Sequence, residues 1–370
     1  AEFSHSPGTR PRFLLAACRR PTPYPDGRVA RFPTMKTPAI IFNAPGQVAL
    51  GQTEIDPAQL RADQVLIDTE ASVISPGTEL AILSGKEGWA PLPYIPGYGA
   101  VGRIAALGAD VKGLSVGDRV FSHSRHCARD FSSNMIVPVP AGVSATEAAC
   151  ARLAQVAFTA VRIAQSQLGD WVVVVGLGAV GNFAAQLFNL AGCEVVAVDV
   201  SPGRLELAKA CGIRHVLPAG PDLRDRLRAL TGGALARTVV DATGAPAVTE
   251  NAIGLAGPLG ELIVLGSPRG DHQANLTNFL NGSHLWGNGC VTVKGAHEWR
   301  LPVREDAGGH VPYTMEGNLK VILRLMAQKR LQLAPMLAHT LAPKDAPAIY
   351  QALQQRKNEV LTAVIDWTRA

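Results

Sequence analysis

The sequence predicts an α/β protein in which a doubly wound parallel sheet is set within a β-rich chain. Three observations predict it. Residues 171–199 read WVVVVGLGAVGNFAAQLFNLAGCEVVAVD, a strand, a Gly-rich turn, a helix and a second strand closed by an acid. Apolar strand runs and helical runs keep alternating from residue 171 to about 294, which argues for parallel pairing. Between residues 35 and 139 the pattern is different: short alternating runs separated by Gly and Pro.

Residues 1–34 come first and are compositionally foreign. They hold Arg10, Arg12, Arg19, Arg20, Arg28 and Arg31 against Glu2 and Asp26, a net +4 of the chain's +5. The segment is Pro/Arg-rich without sustained periodicity and stops where Met35 opens a strand pattern. It reads as a tag or translated upstream leader, outside the fold. Leu15-Ala16-Ala17-Cys18 has the look of a lipoprotein box, but residues 13–17 are too short for a signal sequence's apolar region.

The β-rich part includes Gln64-Val65-Leu66-Ile67-Asp68 and Val101-Gly102-Arg103-Ile104, each alternating as a half-buried strand does. Residues 144–166 read as one Ala-rich helix with Ser144 as N-cap and Glu147 as its capping-box partner. Residues 172–175 are four valines, a strand buried on both faces; a helix over 182–191 and a strand over 195–198 follow. Val239-Val240-Asp241-Ala242-Thr243-Gly244 and Leu262-Ile263-Val264-Leu265-Gly266-Ser267 are further buried strands ending in small-residue loops. In an open α/β sheet that end binds the ligand. Beyond 293 come a polar loop, helices over 318–328 and 347–354, and a last strand over 360–367 expected to rejoin the first domain.

A chain of 370 residues, 47% hydrophobic and 18% charged, suits two globular domains. With the leader set aside, residues 35–370 carry about +1, so no nucleic-acid footprint is expected. No run approaches the roughly 18 apolar residues of a membrane span. The cysteines, Cys18, Cys127, Cys150, Cys193, Cys211 and Cys290, form no CxxC pair. Buried thiols in a reducing cytoplasm are the expectation.

Gly176-Leu177-Gly178-Ala179-Val180-Gly181 is the dinucleotide-binding fingerprint of a Rossmann unit. Gly176 allows the tight turn, Gly178 lets the backbone approach a pyrophosphate, and Gly181 allows close helix–strand packing. The pyrophosphate would sit on free N–H groups at the helix N-terminus. Asp199 would accept hydrogen bonds from the ribose hydroxyls and repel a 2′-phosphate, which points to NAD. Arg204, five residues on, is close enough to reach a phosphate and keeps NADP possible.

Leu107-Gly108-Ala109-Asp110-Val111, Val116-Gly117-Asp118-Arg119-Val120, the GLGAVG turn and Asp241-Ala242-Thr243-Gly244 resemble the medium-chain dehydrogenase/reductase superfamily over residues 35–370. The resemblance implies a Rossmann domain, residues 153–299, inserted in a chaperonin-10-like catalytic domain, residues 35–152 plus 300–370, with the active site in the cleft between. Ser75-Pro76-Gly77-Thr78-Glu79, Gly266-Ser267-Pro268-Arg269-Gly270 and Lys294-Gly295-Ala296-His297-Glu298 resemble the bacteriochlorophyllide-type dehydrogenase subgroup.

Two departures bear on metal. Where the zinc-using branch carries C-G-T-D, this chain has Pro76-Gly77-Thr78-Glu79, and where that branch carries G-H-E, it has Gly97-Tyr98-Gly99. The structural-zinc lobe is reduced to residues 121–134 with Cys127 alone. Zinc needs three or four N, S or O ligands, so no zinc site is expected. Family placement puts Ser75, Thr78, Tyr98 and His123 near the cleft. Tyr98 is either a hydroxyl aimed at a substrate oxygen or a half-buried aromatic on a glycine turn. His123 is either a titrating group or a solvated loop histidine; Ser75 and Thr78 are either site hydroxyls or caps. Glu79 reads as a structural hydrogen-bonding group. By the same resemblance Thr159 faces the nicotinamide, Ser267 and Pro268 flank its carboxamide, and Thr243 lies near the adenosine.

The expected activity is zinc-independent hydride transfer between NAD and a hydroxyl or carbonyl of a small-molecule substrate. An NADPH-dependent quinone or enoyl reductase and a non-catalytic nucleotide-binding protein are the alternatives. The polar stretch 269–288, with His272, Asn275, Asn278 and His284, is either a pocket wall for a polar or glycosidic molecule or a surface excursion, the latter favoured. A tetrapyrrole substrate is implied only by the subgroup. Family members pair as homodimers through the strand at residues 291–293, and the same is expected here.

Overall fold

The computed structural model describes residues 34–305, 308–337, 339–355 and 360–370, so the leader reading and Cys18 fall outside the described residues. Strands β1 (Met35–Ala44) and β2 (Gln47–Ile55) form an antiparallel hairpin. Next come β3 (Val65–Val73), β4 (Ala100–Leu107), β5 (Arg119–Ser122), β6 (Arg129–Ser132) and β7 (Val137–Pro138). They pair antiparallel, β3 with β4 and β6, and β5 with β4 and β7. A helix the strand pattern did not foresee, α1 (Pro76–Leu83), leaves the end of β3. Pro76 suits its first turn, where no backbone N–H is needed.

The expected helix over 144–166 divides into α2 (Ala145–Ala149) and α3 (Ala151–Ile163). The Ser144–Glu147 capping box is present, with Glu147 N–H donating to Ser144 Oγ at 3.2 Å and Ser144 N–H to Glu147 Oε2 at 3.0 Å. The Cys150 carbonyl accepts from both Leu153 N–H, 3.1 Å, and Ala154 N–H, 3.3 Å, a tightened turn that separates the two helices.

The nucleotide unit alternates without exception: β8 (Trp171–Val175), α4 (Ala179–Leu190), β9 (Glu194–Asp199), α5 (Pro202–Ala210), β10 (His215–Pro218), α6 (Leu223–Leu230), β11 (Ala236–Asp241), α7 (Pro246–Ala252), β12 (Ala256–Val264), α8 (Leu276–His284) and β13 (Thr292–Gly295). Every pairing is parallel, in the spatial order β10-β9-β8-β11-β12-β13. The winding reverses between β8 and β11, which is where an open sheet of this order binds its ligand. α9 (Met315–Ala327), β14 (Thr340–Leu341), α10 (Ala346–Gln355) and β15 (Val364–Asp366) complete the chain. β15 pairs antiparallel with β3, Val364 opposite Val73, so the last strand does return to the first sheet. It is shorter than the sequence pattern because Asp366 caps a 3₁₀ turn over Trp367–Arg369.

The parallel sheet is covered on both faces, which is why its strands read as unbroken apolar runs. Val173, Val196, Val239 and Leu262 pack with Leu227 on one side. On the other, Val172, Val174 and Phe183 join Leu153 and Phe158 of α3, Leu319 of α9, and Val101 and Phe121 of the antiparallel sheet. Each such side chain contributes about 1.5–3 kcal/mol on full burial. One core thus ties the two sheets together through α3, and the cleft opens beside that helix. No helix among the described residues is long and apolar enough to cross a membrane.

Candidate active site

A cleft of about 1450 Å³ gathers the Gly-rich turn, the ends of β8, β9 and β11, and the start of α1. Of the cofactor residues expected from sequence, Gly176, Gly178, Ala179, Val180, Gly181, Asp199, Arg204, Thr243 and Ser267 line it. Leu177 lies fully buried beneath the turn. Pro268 sits between the lining residues Ser267 and Arg269 without lining the cleft itself. Thr159 is fully buried on α3, and its Oγ1 finds no hydrogen-bond partner.

The turn has the shape a dinucleotide needs. A Cβ on Gly181 would stand 1.8 Å from the Gly176 carbonyl oxygen, so α4 meets the turn only with glycine there. A Cβ on Gly178 would meet nothing within 4 Å, leaving open space above the first turn of α4. Backbone N–H groups at such a terminus, with the helix dipole behind them, suit a diphosphate. Asp199 is 4% exposed; its carboxylate accepts Leu177 N–H at 2.7 Å and Ser201 N–H at 2.8 Å. Arg204 Nη1 lies 3.6 Å from Asp199 Oδ2. At the end of β11, Asp241 accepts from both the N–H and the hydroxyl of Thr243, at 2.9 and 2.6 Å, shaping that rim of the cleft.

Ser75, Thr78 and Tyr98 come together on the facing wall. The Tyr98 hydroxyl donates to Ser75 Oγ and lies 3.3 Å from Thr78 Oγ1. Ser75 is the N-cap of α1 yet makes no side-chain capping bond, so its hydroxyl is committed to Tyr98 instead. The His123 ring centre is 6.1 Å from that of Tyr98 and 6.0 Å from that of Trp299, but His123 does not line the cleft. Burial, reinforced by the nearby Arg152 charge, pushes His123 down from 6.5 to about 4, so it is neutral at physiological pH rather than titrating there. Burial also holds the Tyr98 phenol above its ordinary value, with Arg152 opposing that rise.

Glu79 takes the structural role expected of it. It is fully buried and accepts Ser75 N–H at 2.7 Å, which fixes the start of α1 beneath Tyr98. Its other oxygen meets His126 Nε2 at 3.1 Å and the Tyr350 hydroxyl. His126 Nδ1 in turn contacts Ser72 Oγ at 2.7 Å.

Sequence reasoning missed three groups. His126 was passed over for His123 three residues earlier, and nothing local separated the two. Arg152 lies in what read as an Ala-rich helix, yet it is 1% exposed. Its guanidinium carbon stands 4.5 Å from the Tyr98 ring centre, and its terminal nitrogens bind the Glu298 carboxylate. A cation on the apolar face of a predicted buried helix was the available signal. At the cleft mouth Arg269 Nε meets Glu87 Oε1 at 3.0 Å. The polar stretch 269–288 proves a surface excursion over most of its length: His272 pairs with Glu250 at 2.7 Å, and Asn275 caps α8.

Among the described residues no group of three or more His, Cys, Asp or Glu side chains is placed to hold a metal ion. Pro76 and Tyr98, which stand where the resemblance to the zinc-using branch would place a thiolate and an imidazole, are not usual zinc ligands. Cys127 is buried, and burial raises its thiol well above the ordinary value.

Comparison with known proteins places this geometry in context. Residues 61–161 match the family model of the alcohol dehydrogenase GroES-like domain, and residues 179–303 that of the zinc-binding dehydrogenase. D-guloside 3-dehydrogenase of Escherichia coli (strain K12) is 35% identical over 164 residues, 41% of this chain. That match spans 45% of the relative, less than half its length. Alcohol dehydrogenase of Geobacillus stearothermophilus is 28% identical over 322 residues, covering 77% of this chain and 90% of the relative. The solved structure of galactitol-1-phosphate dehydrogenase from Escherichia coli superposes with a TM-score of 0.75 over 90% of this chain and all of that one, at 19% identity.

Proposed function

Because the chain belongs to the medium-chain dehydrogenase/reductase superfamily, we propose that it is a zinc-independent, NAD-preferring dehydrogenase of secondary alcohols on polyhydroxylated molecules. The observation that carries this reading is the Ser75–Thr78–Tyr98 hydroxyl cluster facing the Gly-rich turn and Asp199 across one cleft.

A nicotinamide dinucleotide, when bound, supplies the hydride acceptor or donor. Gly176, Gly178 and the first N–H groups of α4 would hold its diphosphate, and Asp199 its ribose. Tyr98 carries its proton at neutral pH because burial raises the phenol. That single O–H is given to Ser75 Oγ here; turned from Ser75 to a substrate oxygen, it would stabilise charge that grows there in the carbonyl-reducing direction. Ser75 and Thr78 orient that hydroxyl, and Glu79 holds Ser75 through its backbone N–H.

Four observations support the finer points. Pro76 and Tyr98 at the positions of zinc ligands support a metal-free mechanism. Asp199 supports NAD, while Arg204 beside it is the observation that favours NADP as a second reading. The polar wall of Ser75, Thr78, Ser84 and Lys86, with the D-guloside 3-dehydrogenase relative, supports a polyhydroxylated substrate. The five described cysteines are free thiols, in keeping with a reducing compartment such as the cytoplasm.

The test is a fluorescence titration with NADH and with NADPH, followed by turnover on sugars, glycosides, polyols and simple alcohols, with and without a chelator. Tighter NADH binding and chelator-insensitive oxidation of polyols are expected. Loss of turnover with the chelator removes the metal-free mechanism. Turnover confined to quinones or enones with NADPH replaces the proposal with a reductase.

A further inference from the structure

Arg152 is among the largest fully buried side chains of the molecule. A guanidinium withdrawn from water requires an anion and hydrogen bonds of good geometry. Glu298, 7% exposed and 146 residues away in sequence, supplies the anion as a paired contact with both terminal nitrogens. Gln155, one turn along α3, accepts from Nη1. Nε donates to the main-chain oxygen of Tyr98 at 3.0 Å. One guanidinium thus grips the Tyr98 backbone and lies over its ring, 4.5 Å from the centre, a cation–π distance. Gly99 makes the approach possible, since a Cβ there would stand 2.6 Å from Arg152 Cβ.

We propose that Arg152, anchored by Glu298, is a positioning residue that fixes the Tyr98 ring and supplies the positive charge favouring the phenolate side of its proton transfer. The inference rests on Tyr98 as the proton-carrying group of the proposed reaction. The charged and titratable groups that act on the phenol are few. Arg152 comes from α3, Glu298 from the turn over Glu298–Arg300, and His123 from the segment after β5, neutral above about 4. α1 offers the hydroxyls of Ser75 and Thr78, while its Glu79 is turned to Ser75 N–H, His126 and Tyr350. Arg152 favours the phenolate and Glu298 opposes it. The two act on Tyr98 with opposite sign, as any cation and anion beside a phenol do; what singles out Arg152 is its direct hold on Tyr98, through the main-chain oxygen and over the ring.

The experiment is a ¹⁹F NMR pH titration of the full chain labelled with 3-fluorotyrosine, the Tyr98 resonance being identified by its loss in Tyr98→Phe. Glu298→Gln is expected to lower the Tyr98 midpoint by about one pH unit, the scale of one nearby charge. Adding Arg152→Met to Glu298→Gln is expected to raise it again by at least as much, and Arg152→Lys to stay near the parent. Midpoints that coincide across these variants, or a Glu298→Gln midpoint that rises, overturn the proposal. Should the double variant fail to fold, Glu298→Gln is read beside Arg152→Lys, which keeps the charge while loosening the same contacts: a midpoint lowered in Glu298→Gln alone supports the proposal, and a midpoint lowered alike in both, as water entry would do, overturns it. The titration needs no turnover. A chain inactive on every alcohol removes the proposed reaction, whereas an active chain with an unmoved midpoint removes only the role of Arg152.

Discussion

Asp199 Oδ2 accepts the backbone N–H of Leu177 at 2.7 Å, tying the end of β9 to the Gly-rich turn at the end of β8. The acid expected to read the cofactor's ribose therefore also braces the loop that would hold its diphosphate. The two duties separate by substitution. Asp199→Ala is expected to weaken NADH binding by about 1–2 kcal/mol, the worth of hydrogen bonds to a charged acceptor, and to improve NADPH as Arg204 is released. Asp199→Asn keeps an acceptor for Leu177 N–H and should lose less. Equilibrium titration with both cofactors measures this, and unchanged selectivity in Asp199→Ala would remove Asp199 as the selector.

His123 predicts an acid sensitivity. Unfolded, it takes up a proton near 6.5; folded, only near 4, because burial and Arg152 disfavour the charged ring. The unfolded chain therefore binds more protons between those values, and stability falls as pH drops from about 6.5 toward 4. The contribution is about 3 kcal/mol across that window. His123→Gln should flatten it, measured as urea unfolding at pH 7 and pH 4.5. Equal pH dependence in parent and variant would show that His123 is not the source.

β13 is one of the two edge strands of the parallel sheet, and the segment leading to it exposes large apolar side chains. Leu276, Leu280 and Trp286 are 63%, 52% and 73% exposed, and Val293 on the strand itself is 39% exposed. An edge strand with such a patch invites pairing with another chain, and two-fold pairing closes the assembly. Light scattering is expected to give twice the monomer mass, and Val293→Lys with Trp286→Glu to halve it. A monomeric parent at micromolar concentration removes the dimer.

Much of the nucleotide half was legible in sequence because its signals are local. Four valines in a row, a turn that only glycines can make, and an acid closing the next strand fix a βαβ unit within 29 residues. The α2 capping box was equally local, as side chains three residues apart meet on any helix start. Helix α1 was missed because eight residues with no apolar periodicity, in a β-rich setting, give no helical signal. The break at Cys150 was missed because it depends on how the carbonyl is shared, not on residue type.

What the sequence by itself determined is the nucleotide-binding unit and the order of its elements, both carried by neighbouring residues. What only the tertiary structure decided is the wall that faces the Gly-rich turn. Arg152 meets Glu298 across 146 residues of chain, and Glu79 meets Tyr350 across 271. Charges buried in that way satisfy one another only once both sheets and α3 share a single core. Their pairing is a property of packing, and no periodicity or spacing along the chain encodes it.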